Sequence, residues 1–210
     1  MKFAIVDIET TGAFSHYNAI TEIGIVITDG QTILDRYETL VQPDASIPGF
    51  ITALTGIDYG MVKDAPTFES VAPTILTITQ GCIFVAHNVG FDYGFIRKAF
   101  KNTELHFYRK KICTVRMAKA LLPNLSSYSL SRISHQLNLP HYNKHRAMGD
   151  AEATFHLLKL LLKKEEGAAY IKKALQKQSV LGKLPPNLPE QDFVQLPEEP
   201  GVYNLSLIHI

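Results

Sequence analysis

Two features of specialised proteins are scarce in this sequence of 210 residues: cysteine and long apolar runs. Its two cysteines, Cys82 and Cys113, each lie within an apolar stretch. That placement is typical of buried thiols in an intracellular protein and argues against a disulfide scaffold. No apolar run reaches the roughly 18 residues that a membrane-spanning helix needs, so we expect no membrane partner. The first residues lack the basic, apolar and small-residue order of a signal peptide, and we expect a cytoplasmic protein.

An excess of charge of either sign is also missing. The sequence has 21 basic against 20 acidic residues and a net charge of +1. This balance does not indicate a protein that holds nucleic acid through overall positive charge. If the ligand is a nucleic acid, local basic patches or bound metal ions must supply the attraction.

Strand and helix patterns alternate over most of the chain. Short runs rich in apolar and β-branched residues predict strands at Phe3–Ile8, Ile20–Thr28, Ile33–Val41 and Cys82–Ala86. Helical spacing of apolar residues predicts helices at Pro48–Leu54, Pro66–Thr79, Phe91–Phe100, Thr114–Leu122, Ser129–Leu137 and Ala147–Lys164. The first three strands would form an antiparallel meander. The element order indicates an α/β or α+β fold, a mixed sheet with helices packed on it.

The composition changes after the last predicted helix. Residues 163–178 are charged and polar, and residues 184–200 contain five prolines. Such a composition is typical of a linker. We therefore predict an ordered domain over residues 1–165 and a linker over residues 166–195.

Two acidic residues end the first predicted strand. Asp7 and Glu9 are two residues apart, so in a strand their side chains point to the same side. Two carboxylates on one face repel each other unless cations lie between them. The alternative is that the strand has already ended and both side chains are solvated.

Three further polar residues lie where a predicted element begins or ends. Asp150 falls on the apolar stripe of the last helix, where an unpaired carboxylate is costly; an acid in the first helical turn is the competing interpretation. Asp92 follows the strand Cys82–Ala86, at the end where α/β proteins bind ligands, although it could simply cap a helix. His145 precedes Asp150 by five residues and could reach the same site from the loop.

Together these residues offer four carboxylates and one histidine. Hard oxygen ligands without a cysteine–histidine cluster favour Mg²⁺ or Mn²⁺ over structural zinc. Two such ions roughly 3.5–4 Å apart form the arrangement that supports in-line displacement at phosphorus. The residue types therefore predict a site for two divalent metal ions.

Three segments resemble, in this order, the exonuclease motifs of the DEDDh family: Asp7–Gly12, His87–Asp92 and His145–Ala151. The likeness is greatest to the epsilon proofreading subunits of bacterial DNA polymerase III. The segment Leu54–Ile57 also resembles the family's element beside the terminal nucleotide. The resemblance covers about residues 1–165. It implies a ribonuclease H-like fold, a mixed five-stranded sheet flanked by helices.

The resemblance also implies residue roles. It assigns two divalent ions, Mg²⁺ or Mn²⁺, to four ligands: Asp7, Glu9, Asp92 and Asp150. It makes His145 the general base that takes a proton from the attacking water. It assigns contacts with the terminal nucleotides to Thr10, Thr11, Leu54, His87, Asn88 and Phe91. For Leu54 and Phe91, a place in the core is the open alternative.

The family implies an enzyme that removes nucleoside 5′-monophosphates from the 3′ end of DNA during proofreading or repair, with a polymerase or repair complex as a partner. RNA is the alternative substrate, as in enzymes similar to ribonuclease T or oligoribonuclease. A catalytically silent 3′-end binding module is a third alternative, disfavoured because all five catalytic residues are present. Two basic clusters, Arg97–Lys101 and Arg109–Lys111, either line the path of the strand or are solvated.

The last segment carries a second resemblance. Residues 196–210 include Leu196–Tyr203, which is similar to the opening of a GIY-YIG nuclease domain. Such a short piece cannot bury a core of its own. We therefore expect the chain to be a fragment of a longer protein, with this segment making few contacts with residues 1–165.

Overall fold

The computed structural model describes residues 1–176 and residue 178. Within them five strands form one sheet: β1 (Phe3–Thr10), β2 (Ile20–Thr28), β3 (Ile33–Leu40), β4 (Ile83–Ala86) and β5 (Lys111–Cys113). The order across the sheet is β3-β2-β1-β4-β5. The first three strands pair antiparallel, as the predicted meander requires, and β1–β4 and β4–β5 pair parallel. The predicted mixed five-stranded sheet is therefore confirmed.

Eight helices lie in the same part of the chain: α1 (Gly49–Thr55), α2 (Tyr59–Val62), α3 (Phe68–Ile78), α4 (Val89–Lys101), α5 (Thr114–Leu121), α6 (Leu130–Gln136), α7 (Ala147–Leu162) and α8 (Gly167–Gln176). Six of them match predicted helices to within a few residues. Helix α2 and strand β5 were not predicted, since four and three residues are too few to show a period. No helix in the described residues is both long and apolar enough to cross a membrane.

The sheet separates two apolar clusters because strand side chains alternate. On one face, alternate residues of β1 such as Ala4, Val6 and Ile8 pack with α3 and α4. On the other face, Phe3 and Ile5 pack with α7. The central strand β1 is thus covered on both sides, and its carboxyl end lies between the starts of α4 and α7.

The structure differs from the predicted boundary at residue 165. Residues 167–176, predicted as linker, form helix α8, which contacts β5 and α7. Its Ile171 is 2% exposed and joins the cluster under α7. Charged residues surround Ile171 in the sequence, so composition alone predicted a linker and did not indicate that α8 has an apolar face. Most of the predicted linker and the GIY-YIG-like segment lie outside the described residues.

Candidate active site

The carboxyl end of β1 carries two acidic side chains on one face of the sheet. Asp7 and Glu9 continue the alternation of Phe3 and Ile5, so they lie on the side covered by α7. Unlike the residues before them, both are only half-buried. The strand therefore continues past both acids, to Thr10, and does not end before them.

Helix α7 brings a third carboxylate to this strand end. Its backbone lies close to β2 at Gly24, where a Cβ atom would be 2.5 Å from the carbonyl carbon of Ala147. Only glycine permits this approach, which places Asp150, in the first turn of α7, over β1. Carboxylate oxygens of Asp7, Glu9 and Asp150 lie within 4.8 Å of one another. Three predicted metal ligands are thus brought together.

The fourth carboxylate, Asp92, comes from the first turn of α4. Asn88 turns the chain from β4 into this helix with a left-handed φ of 78°, a conformation that asparagine tolerates, but its side chain does not cap the helix. Asp92 is only 3% exposed and accepts a hydrogen bond from the backbone N–H of Ile8. It lies close enough to raise the pKa of Asp7 by charge repulsion.

Burial and mutual repulsion raise the pKa values of three of these carboxylates. For Asp7, burial and then repulsion by Asp92 and Asp150 raise the pKa well above its usual range. Burial and repulsion by Asp150 raise the pKa of Glu9 to about 7. Burial, with repulsion by Glu9 and Asp150, raises the pKa of Asp92 to about 8. The metal-free site therefore resists full ionisation, which is what a cation would relieve.

A divalent cation fits this donor set. The ligand atoms are carboxylate oxygens, the type that Mg²⁺ and Mn²⁺ prefer, and no cysteine lies among them. Three carboxylates with converging oxygens carry more negative charge than a protein keeps together without compensation. The residues therefore suit a divalent metal of the kind that the sequence predicted.

The stability of the metal-free protein is expected to fall as the pH rises from about 6.5 to about 8.5. In this window unfolded Asp and Glu are fully ionised, whereas folded Glu9 and Asp92, with pKa values of about 7 and 8, still hold protons. Because the folded state binds more protons, raising the pH favours unfolding. His87, whose pKa is lowered by burial, acts in the opposite direction, but mainly below this window, because unfolded histidine loses most of its protons as the pH rises past about 6.5.

Urea unfolding in EDTA at several pH values measures this effect. Each pKa unit corresponds to ~1.4 kcal/mol, so a loss on the order of 2 kcal/mol is expected across the window. The variant Asp92→Asn should flatten the dependence, and Mg²⁺ should oppose it. A free energy of unfolding that stays constant or rises over the same range would contradict this electrostatic account.

Two histidines near the site, His141 and His145, have different surroundings. His145 is exposed, with a left-handed φ of 61°, and its ring makes no hydrogen bond with any described residue. His141 instead donates from Nε2 to Oδ1 of Asp150 at 2.6 Å. His141 was not among the predicted site residues, since it lies in an irregular segment outside the motifs. The role of His145 stays a prediction.

Two predicted nucleotide contacts, Thr10 at the end of β1 and Thr11 in the turn that follows, are already hydrogen-bonded within the protein. The hydroxyl of Thr10 donates to the carbonyl of Gly12 at 2.8 Å. The backbone N–H of Thr11 donates to the carbonyl of Ala19 at 2.9 Å, and its hydroxyl accepts from the N–H of Ala19 at 3.0 Å. These bonds fix the shape of the turn beside Glu9.

His87, another predicted nucleotide contact, is held by two protein partners. Its Nδ1 lies 2.9 Å from the hydroxyl of Thr114, and its Nε2 lies 2.8 Å from the carbonyl of Tyr128. Since both ring nitrogens have partners, the ring links the end of β4 to α5 and to the loop before α6. A direct contact of His87 with a nucleotide stays untested.

The two apolar residues predicted to touch the last bases differ in exposure. Leu54, on α1, is 53% exposed and so is not a core residue. Phe91, on α4, is half-buried, and its ring centroid lies 4.9 Å from that of Phe95. An exposed leucine on α1 is available to a ligand, whereas Phe91 divides its surface between the core and solvent.

The basic clusters contain residues with structural contacts. Arg109 donates to the carbonyls of Leu76 and Thr79 at 2.8 and 2.9 Å, and so satisfies carbonyls at the end of α3. Lys98 donates to the carbonyl of Ser15 and ties the loop after β1 to α4. Whether a nucleic-acid strand runs along the two basic clusters stays a prediction.

A buried ion pair that was not predicted from the sequence anchors the start of α7. Glu22, opposite Glu9 in the sheet, has a side chain only 1% exposed. Nε of Arg146 donates to both of its carboxylate oxygens at 3.0 and 3.1 Å, and the N–H of Ala147 donates to Oε2 at 2.8 Å. This acid from β2 therefore caps α7 in place of a local side chain, and it fixes the residues flanking His145.

Replacing Arg146 by alanine is expected to destabilise the fold by roughly 3 kcal/mol, the lower end of the cost of breaking a buried pair, because Arg146 is itself partly exposed. The control is Arg36→Ala, which breaks the exposed pair with Glu152 at 2.7 Å and should cost less than about 1 kcal/mol. Chemical denaturation of the two variants makes the comparison. Equal losses of unfolding free energy in the two variants would show that Arg146 is not needed to stabilise the buried carboxylate of Glu22.

A family model described as Exonuclease (RNase_T) matches residues 4–158. The chain belongs to the exonuclease (RNase_T) family. It is 40% identical over 157 residues to the 3′-5′ exonuclease DinG of Staphylococcus epidermidis, covering 74% of this chain and 17% of that protein. It is 39% identical over 165 residues to DinG of Staphylococcus saprophyticus, covering 78% of this chain and 18% of that protein. The chain thus spans less than a fifth of the length of these curated relatives.

Solved structures of exonucleases share the fold. Exonuclease X in complex with 5′ overhanging duplex DNA aligns with a TM-score of 0.64 and 29% identity, covering 76% of this chain and 90% of that chain. Exonuclease I aligns with a TM-score of 0.76 and 19% identity, covering 86% and 45%. The nuclease domain of 3′hExo, a DEDDh family member bound to rAMP, aligns with a TM-score of 0.68 and 18% identity, covering 77% and 92%.

These matches confirm the predicted ribonuclease H-like fold and the prediction of an exonuclease domain. The exonuclease (RNase_T) match ends at residue 158, inside α7. The special likeness to the epsilon proofreading subunits stays a prediction, since the relatives named above are DinG proteins.

Proposed function

We propose that this domain hydrolyses the phosphodiester bond at the 3′ end of DNA and releases nucleoside 5′-monophosphates, with two divalent cations as cofactors. The observation that carries the proposal is the convergence of Asp7, Glu9 and Asp150 within 4.8 Å, with buried Asp92 beside them. A structural site would not need four clustered carboxylates, in three of which, Asp7, Glu9 and Asp92, burial and mutual repulsion raise the pKa. The exonuclease family to which the chain belongs supports this chemistry.

The four carboxylates are the groups that would hold the cations. When bound, two Mg²⁺ or Mn²⁺ ions activate the attacking water and stabilise the negative charge of the transition state and the leaving oxygen. Asp7, Glu9 and Asp150 offer converging oxygens. Asp92 is kept in place by the backbone N–H of Ile8 and by its burial.

His145 is the proposed general base. Histidine is a side chain suited to proton transfer near neutral pH, and the loop that carries His145 is anchored next to the site through Arg146 and Glu22. In this conformation His145 is exposed. The proposed role therefore requires its side chain to turn toward the carboxylates when the substrate is bound.

DNA is the proposed substrate and RNA the alternative. Exonuclease X, a solved relative at 29% identity, was crystallised with duplex DNA, which supports DNA. RNA stays the alternative because clustered carboxylates that hold divalent cations would act on either kind of phosphodiester. The proposed contacts with the terminal nucleotides are Thr10, Thr11, Leu54, His87, Asn88 and Phe91. We further propose a cytoplasmic role in proofreading or repair beside a polymerase or repair complex.

Digestion of matched oligonucleotides tests this function. We expect 5′-mononucleotides to leave one at a time from the free 3′ end of single-stranded DNA in Mg²⁺, and more slowly from the same sequence as RNA. A strand with a blocked 3′ end should resist. Rapid cutting of circular single-stranded DNA would indicate an endonuclease and contradict the proposal. Faster digestion of RNA than of DNA would show that RNA, the alternative, is the substrate.

A further inference from the structure

His141 lies in the loop between α6 and α7 and contacts one of the proposed metal ligands. Its Nε2 donates to Oδ1 of Asp150 at 2.6 Å. The histidine side chain is 5% exposed and the aspartate side chain 17% exposed. A hydrogen bond of this length to a carboxylate, shielded from water, restricts how the carboxylate can rotate.

The loop holds this histidine against α7 by backbone packing. Gly149 precedes Asp150 in the helix, and a Cβ atom at that position would clash with the carbonyl oxygens of both Tyr142 and Asn143. The loop backbone therefore rests directly on the first turn of α7. Asn143 adopts a left-handed φ of 49° to follow this path. The backbone next to His141 is therefore packed against the helical turn that carries Asp150.

The second ring nitrogen of His141, Nδ1, helps to define the role of the ring. Nδ1 of His141 is buried and has no hydrogen-bond partner among the described residues. An unsatisfied buried polar atom costs stability, so the ring is not explained by a structural network. Among the described residues its one hydrogen bond leads to the acid at the centre of the site.

We infer that His141 is a positioning residue that fixes the carboxylate of Asp150 for metal binding. The inference rests on the proposed function of the carboxylates as ligands. With Oδ1 held by the imidazole, the carboxylate is oriented before a cation arrives, so less ordering accompanies binding. Removing hydrogen bonds that orient ligating side chains in this way typically lowers metal affinity or activity ~10–100-fold. In this role His141 acts through Asp150, whereas His145 is the proposed base.

Mn²⁺ binding by isothermal titration calorimetry tests the inference with two matched variants. In His141→Gln the side-chain amide reaches about as far as Nε2, whereas in His141→Asn it ends short of Asp150. We expect Asn to weaken Mn²⁺ binding ~10–100-fold, and Gln to retain most of the affinity. His135→Asn, an exposed histidine on α6, is the control, and circular dichroism confirms that each variant is folded.

A Mg²⁺ titration of DNA hydrolysis separates positioning from proton transfer. Positioning predicts that His141→Asn needs more Mg²⁺ for half-maximal rate but approaches the wild-type rate at saturation. Wild-type Mn²⁺ affinity in folded His141→Asn would overturn the inference. So would a large loss of rate at saturating Mg²⁺ in both variants, which would make His141 a base. If the wild type binds Mn²⁺ without cleaving nucleic acid, the proposed function fails while the calorimetric test of His141 still stands.

Discussion

Replacing Asp7 by asparagine is expected to abolish 3′-end hydrolysis while leaving the protein folded and, without metal, more stable. Burial raises the pKa of Asp7, and repulsion by Asp92, Asp150 and Glu9 raises it further, so a neutral amide of the same shape relieves both the cost of burial and the repulsion. The same change removes a proposed ligand. Since a bound cation supplies several kcal/mol of transition-state stabilisation, the rate should fall by at least ~10³-fold, each factor of ten being about 1.4 kcal/mol.

Single-turnover digestion and thermal melting of the same preparation check both halves of this prediction. Asp35→Asn is the control, because that carboxylate is exposed on the edge strand β3 and should change neither quantity. The melting temperature of Asp7→Asn should rise in EDTA and respond less to Mg²⁺ than that of the wild type. Near-normal hydrolysis by folded Asp7→Asn would rule out the proposed ligand set.

Replacing His145 by alanine is expected to slow hydrolysis by roughly 10²–10⁴-fold, the usual contribution of a general base. Binding of the 3′ end and of Mg²⁺ should persist, because His145 is exposed and makes no hydrogen bond with the carboxylates in this structure. The rate of the wild type should rise with pH near neutrality, as expected for a histidine base, and this rise should be absent from the variant. Removing a base acts on proton transfer and not on affinity.

Rate–pH profiles at saturating Mg²⁺, together with fluorescence anisotropy of a labelled oligonucleotide, make this measurement. His135→Ala on α6 removes an exposed histidine outside the site and is the matched control. An unchanged rate and pH profile in His145→Ala would show that this side chain is not the base. Because His141 donates to Asp150, the His141 variants should be measured in the same series.

The features that sequence predicted best are those encoded locally. The alternation of β1 shows in the sequence itself, so the spacing of Asp7 and Glu9 is enough to place them on one face. Asp150 was conspicuous because a carboxylate on an apolar helical stripe conflicts with burial. Asp92 and the element order followed from the position of a short apolar strand. In each case the signal lies within about two turns or one strand.

The features that sequence did not predict depend on residues far apart in the chain. Glu22 caps α7 across 125 positions of sequence, and nothing around Glu22 distinguishes it from a solvent-facing strand acid. His141 reaches Asp150 because an irregular loop folds back onto Gly149. Strand β5 exists through its pairing with β4, and α8 through the burial of Ile171. Contacts of this kind can be recognised only when the three-dimensional arrangement of the sheet and helices is known.

Release of mononucleotide from a 3′-labelled single strand, after the protein is stripped with EDTA and then supplied with Mg²⁺, tests the central claim most directly. The account predicts no release in EDTA and recovery of the full rate once Mg²⁺ or Mn²⁺ is restored, because the clustered carboxylates act through the cations that they hold. Undiminished release in excess EDTA would contradict it.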